Sequence, residues 1–195
     1  MSPHPLELWS LANLPKWLAC ALSLLVRLAA SCLFAISFLA AILITRAVWQ
    51  ADWPLHRYDA LVIIALGLQA LFIATKLETL EEARVILIFH LTGSMMEWFK
   101  VSAGSWAYPE PGLLKLFGVP LFTGFMYASV GSTIARALRL FEIRLAPAPP
   151  YWAIATLAVA IYVNFWSHHY LPDARLVLFA ATLLFFGRTK LWFRL

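Results

Sequence analysis

Long apolar runs broken by short polar connections organise this chain. A bilayer-crossing helix needs roughly 20 largely apolar residues, about 17 at the short end. Six stretches approach that length: Ser31 to Trp49, Tyr58 to Thr75, Arg84 to Lys100, Leu114 to Leu138, Tyr151 to Ser167 and Ala174 to Gly187, the last being the shortest. The pattern predicts an all-α fold, a polytopic transmembrane helix bundle of about six spans. Ahead of the first span, Leu6 to Val26 is apolar but carries Trp9, Pro15, Lys16 and Trp17, with Arg27 following. That mixture suits a segment in the headgroup region, or a long first span from near Leu18. The expected organisation is an N-terminal interfacial segment over residues 1–27 and a single transmembrane domain over 28–195. No cleaved signal peptide is expected, because a positive start, a short apolar run and a small-residue cleavage site do not occur in order.

Composition sharpens the picture. Hydrophobic residues make up 63% of the chain and charged residues 13%, with a mean hydropathy of +0.80, whereas soluble domains carry about 25% charged residues. The formal charge of +5 does not point to nucleic acid, because the cations flank the helices. Counted by loop over six spans, ten cations fall on one side: Lys16, Arg27, Lys76, Arg84, Arg136, Arg139, Arg144, Arg188, Lys190 and Arg194. Five fall on the other: Arg46, Arg57, Lys100, Lys115 and Arg175. The positive-inside bias puts both termini in the cytoplasm. The Asp52–Asp59 loop, the Val101–Leu113 loop and the His168–Asp173 turn then share the outer side. Cys20 and Cys32, both in apolar helical sequence, predict neither a disulfide nor a zinc site.

Ionisable residues inside spans are costly and mark functional candidates. His90 and Glu97 are nearly two turns apart, on one helix face with Gly93 and Ser94 between them. Asn164 and His168, four apart, share a face of the fifth span, and in this topology His168 lies at the depth of Glu97. Glu97, His90 and His168 are therefore the candidate proton donor and relay residues. Trp106, Tyr108, Asn164 and Glu110 are the candidate substrate-binding residues, although Trp106 and Tyr108 also fit an interfacial aromatic belt. No metal and no cofactor are expected: neighbouring His168 and His169 point in different directions, and neither a His-x-x-x-His pair nor a cysteine pair supports them. In the fourth span Gly124, Ala128, Gly131 with Ser132, and Ala135 recur every three or four residues, a pattern for close helix packing. Pro120 and Gly118 mark a break near the start of that span. Lys76 to Arg84, with three glutamates and two cations, reads as a solvated helical connection.

The strings His90-Leu-Thr-Gly with Met96-Glu-Trp-Phe-Lys100, Gly104-Ser-Trp-Ala-Tyr-Pro-Glu110, Gly118-Val-Pro-Leu-Phe-Thr-Gly-Phe-Met-Tyr127 and His168-His-Tyr-Leu-Pro-Asp173 resemble a bacterial membrane family catalogued as domain of unknown function 817. The resemblance runs from the second span to the end. It implies further spans and a second Trp-x-Tyr-Pro segment beyond Leu195, so the chain resembles a shortened member. A likeness confined to Glu97, Tyr108 and Gly118 to Leu121 extends to membrane-embedded carotenoid-processing proteins. Two functions follow. One is a membrane-embedded enzyme on a lipophilic, polyprenoid-like substrate, with Glu97 or Glu110 protonating a double bond and aromatic faces steadying the cation. The other is a proton-linked small-molecule transporter. A non-catalytic scaffold is the third option. Expected partners are membrane lipids and a lipophilic small molecule, with no nucleic acid; an oligomer is compatible with the sequence.

Overall fold

The computed structural model describes residues 13–168 and 170–194, which are all-helical apart from two short antiparallel strand pairs. They divide into two compact units, one running to Phe141 and one over Glu142–Arg194. In the first unit, α1 (Lys16–Ser31) and α2 (Leu33–Val48) are followed by α3 (Arg57–Ala74) and α4 (Leu80–Ser102). A hairpin of β1 (Lys115–Leu116) and β2 (Val119–Pro120) then leads into α5 (Phe122–Leu140). α5 is the central helix: it touches each of α1, α2, α3 and α4, most extensively α4. The core gathers Phe34 and Phe38 of α2, Tyr58, Leu61, Ala65 and Phe72 of α3, and Phe122, Phe125 and Ala128 of α5.

Three boundaries differ from the sequence expectation. The first apolar stretch is two helices bent by 57° at Cys32. No proline or glycine stands there; the Ser31 hydroxyl instead donates to the Leu28 carbonyl at 2.7 Å, a local bond that competes with the helix ladder. The run from Leu114 does not start a helix. Phe117 and Gly118 both take positive φ, 51° and 82°, the two-residue turn that suits a hairpin's twist, and α5 starts only after Pro120. The connection before α4 is solvated only in part: Lys76, Thr79, Glu81 and Arg84 are exposed, but Glu78 and Glu82 are buried, at 2% and 6% exposure.

Glu82 is buried because it caps α4. The Thr79 hydroxyl accepts from the Glu82 amide while the Glu82 carboxylate accepts from the Thr79 amide at 2.7 Å, a reciprocal capping box. Arg139 of α5 donates to the same carboxylate at 2.7 Å. Burial pushes the Glu82 carboxyl up, but the Arg139 and Thr79 bonds outweigh it and hold it below the usual glutamate range. The folded state thus binds this proton more weakly than the unfolded chain does. Its stabilising contribution is complete above the ordinary value of 4.5 and is lost as pH falls below it. The Glu82→Gln protein is expected to lose less stability than wild type between neutral pH and pH values below that range, as read by thermal melts in detergent.

One helix, α3, is by itself long and apolar enough to cross a membrane; α1 and α2 pass the same test only as a bent pair. α4 is long enough but carries Glu81, Glu82, Arg84, Glu97 and Lys100. In the second unit, α6 (Tyr151–Ser167) and α7 (Arg175–Phe186) are shorter apolar helices packed on each other. There β3 (Arg144–Ala146) pairs antiparallel with β4 (Lys190–Trp192), Arg144 opposite Trp192.

Candidate functional site

The antiparallel pair α4–α5 is close because its glycines allow it. A Cβ on Gly93 would lie 2.4 Å from the Tyr127 side chain, one on Gly124 2.3 Å from the Ser94 hydroxyl and 2.6 Å from His90 Nδ1, and one on Gly131 2.7 Å from the Phe89 ring. The small-residue stripe of α5 is therefore a packing face against α4, with Ala128 and Ser132 fully buried.

At the far end of this pair sits Glu97, 5% exposed. Three donors converge on its carboxylate: Tyr127 Oη on Oε1 at 2.7 Å, and Tyr108 Oη and Trp106 Nε1 on Oε2 at 2.6 and 2.9 Å. A carboxylate buried away from water needs such donors. Burial and the bond to Glu97 push the Tyr108 hydroxyl above its ordinary range, so it remains a donor.

The loop carrying Trp106 and Tyr108 is pinned from α3 and β1. Arg57 grips Glu110 with Nε and Nη2 at 2.7 and 2.6 Å, a charge-assisted fork. Asp59, 3% exposed, accepts the Leu113 and Leu114 amides at 2.8 and 2.7 Å. Lys115 Nζ donates to the Tyr108 carbonyl at 2.8 Å. Asp59→Ala leaves two amides without their acceptor and is expected to destabilise by about 1–3 kcal/mol. The same variant should expose the 103–113 loop to limited proteolysis, and an uncut loop would count against this anchoring role.

The structure thus brings Glu97, Trp106 and Tyr108 together. Glu110 turns instead to Arg57. His90 lies on the α4 face toward α5, its ring 4.4 Å from that of Phe125; Nδ1 is buried against the Gly124 backbone and has no side-chain hydrogen-bond partner among the described residues. Asn164 and His168 belong to the second unit, where their recorded bonds are local. Asn164 donates to Asp173 at 3.1 Å and accepts the Ala174 amide at 2.8 Å, tying the α6–α7 turn. His168 Nδ1 lies 2.7 Å from the Phe165 carbonyl. The bonds from the Arg175 amide, Asn164 and the Arg175 side chain together hold Asp173 below the usual carboxylate range. His169 lies outside the described residues.

Two features were not anticipated from sequence. Tyr127 completes the Glu97 cage; its signal was its place three residues after Gly124, on the α5 face toward α4. At the opposite end, Glu78 accepts from Ser132 Oγ and Gln69 Nε2, both at 2.5 Å, and stands 4.0 Å from Arg136 Nη1. Both ion-pair partners are withdrawn from solvent, at 0% and 3% side-chain exposure, and the Arg136 guanidinium lies over the Phe72 ring at 5.6 Å. Ser132 and Arg136 are four apart, so they share a helix face, which was the available signal.

A family model described as protein of unknown function (DUF817) matches residues 8–195. An uncharacterized protein, YoaT, of Bacillus subtilis strain 168 is 44% identical over 161 residues, covering 83% of this chain and 60% of the relative. The chain thus spans about 60% of the length of that curated relative. No solved structure matches. With the family match covering nearly the whole chain and carrying the His90, Glu97 and Trp106–Tyr108 strings, the chain belongs to the DUF817 family.

Proposed function

We propose that this is a multi-spanning inner-membrane protein of about six spans, both termini cytoplasmic, whose α4–α5 pair is the proton-handling core of a small-molecule transporter. Membrane residence is supported by the outward faces of the helices. Leu39, Leu43 and Ile44 of α2, Ile63 and Leu66 of α3, Leu87, Ile88 and Leu91 of α4, and Val130 and Ile134 of α5 are all exposed. That is far more contiguous apolar surface than a soluble monomer presents.

The observation that carries the function is His90. Its Nδ1 is buried in the helix pair against the Gly124 backbone, with no side-chain partner among the described residues, about 10 Å along the axis from Glu97 and about 12 Å from Glu82, at 1.5 Å of rise per residue. A neutral imidazole carries one acceptor nitrogen, so His90 is equipped to accept a proton between two buried acidic groups. Intramembrane ionisable groups placed in series are the hallmark of proton relays. Purified protein in vesicles with an internal pH dye, offered amino acids, sugars, organic anions and lipophilic amines in turn, is expected to move protons with one of these classes. No proton movement with any class would overturn the reading.

A second reading, the membrane-embedded enzyme on a polyprenoid-like lipid, is favoured by one observation: two aromatic donors from one loop sit on Glu97. An apolar groove of about 370 Å³ between α2 and α5, lined by Phe38, Ile42, Met126 and Val130 among others, is suited to a lipid chain. A co-purified lipophilic molecule, together with a cellular lipid profile altered by Glu97→Gln, would favour it over transport.

A further inference from the structure

We infer that the cleft between the α2–α3 connection and the Arg57–Glu110 pair is a binding site for a phosphate group. The cleft has a volume of about 240 Å³ and is lined by Arg46, Trp49, Trp53, His56, Arg57 and Glu110, among others. It adjoins the loop that carries Trp106 and Tyr108, through Glu110, but takes no part in the proton-handling proposal.

Four observations point to an anion of this size. First, the Arg46 side chain, in the last turn of α2, and the His56 side chain have no hydrogen-bond or ion-pair partner among the described residues, and the one acidic side chain lining the cleft, Glu110, is already engaged by Arg57, while Asp52 stands on the same connection. Second, Glu110 takes only Nε and Nη2 of Arg57 and the Tyr58 side chain is the guanidinium's other neighbour. A guanidinium has five N–H donors in a planar fork matched to phosphate, here on a side chain 13% exposed and held in place.

Third, the two indoles of the wall hold each other in place. Trp49 and Trp53 pack at 4.7 Å between ring centroids, and Trp49 Nε1 donates to the Leu55 carbonyl at 3.2 Å. Fourth, the volume falls below the roughly 300–1,000 Å³ of a drug-sized ligand pocket, which matches a headgroup and excludes a whole lipid. Guanidinium–phosphate bonds are charge-assisted and about twice as strong as neutral ones. Indoles at this position also suit the level of lipid headgroups. The phosphate is therefore carried by an anionic lipid headgroup or by a soluble phosphate.

The test is the thermal midpoint of the full chain in detergent, titrated separately with short-chain phosphatidylglycerol, short-chain phosphatidylcholine and inorganic phosphate. A ligand that binds the folded state raises the midpoint in proportion to its occupancy. Phosphatidylglycerol is expected to act at concentrations at least tenfold lower than phosphatidylcholine, and Arg46→Gln with His56→Gln to erase that difference, since each charge-assisted bond is worth roughly a factor of ten. The two replaced groups are unpartnered, so the ligand-free double variant is expected to melt as wild type does. Inorganic phosphate raising the midpoint of wild type but not of the variant identifies a soluble source for the same site. Equal responses to the two lipids with no response to phosphate, or a preference unchanged in the double variant, overturns the site.

Discussion

The Glu78→Leu protein is expected to lose about 3–5 kcal/mol of stability, because it leaves the buried Arg136 guanidinium without its nearest counter-charge, with only the more distant Glu82 remaining. Arg136 is 3% exposed, and its Nε and Nη1 already lack hydrogen-bond partners; Glu78 Oε1 at 4.0 Å is the nearest negative charge recorded for it. The same change removes the acceptor of Ser132 and Gln69. Arg136→Leu alone is expected to cost a similar amount, now stranding the carboxylate. The double replacement should recover most of either loss, since apolar substitution of both partners of a buried pair is often neutral. Detergent melts of the four proteins form the cycle. Additive losses in the double variant would show that the two groups do not pair energetically.

The second large effect falls on the α4–α5 contact. Gly93→Val places a branched side chain where even one Cβ would lie 2.4 Å from Tyr127 Cβ and Cγ. Tyr127 has little freedom to retreat, because its hydroxyl is bonded to Glu97 and its Cβ is fixed to the α5 backbone. Overpacking of this kind costs about 1–3 kcal/mol or somewhat more, and here it also pulls a donor from Glu97. Gly67→Ala is the control, since its Cβ would meet nothing within 4 Å, and a small gain from helix propensity is expected there. Melting temperatures that fall equally for both would show that close glycine packing is not what holds the pair.

The helices were legible in the apolar runs because length and hydropathy fix them without tertiary help. α3, α6 and α7 fall within two residues of the stretches predicted for them. The bend at Cys32 was hidden, since neither proline nor glycine marks it, and the Lys115–Pro120 hairpin was masked by the apolar residues around Gly118. Among the site residues, the loop from Gly104 to Glu110 advertised itself by its aromatic content. Glu78 and Glu82 were misread because three glutamates and two cations in nine residues look solvated in one dimension. Only the placement of Gln69, Ser132, Arg136 and Arg139 around them shows otherwise. Tyr127 was invisible for the same reason: an aromatic residue in an apolar span carries no mark of its partner.

Glu82 and Glu97 both lie on α4, with His90 between them, and the transport reading rests on that order. The most direct test is proton movement in vesicles by wild type, His90→Ala and Glu97→Gln, each shown beforehand to be folded by its melting profile. Wild type is expected to take up protons when its solute is supplied, and each variant to do so at least tenfold more slowly, the scale of losing one positioned proton-transfer group. Variants that move protons as fast as wild type would contradict the account.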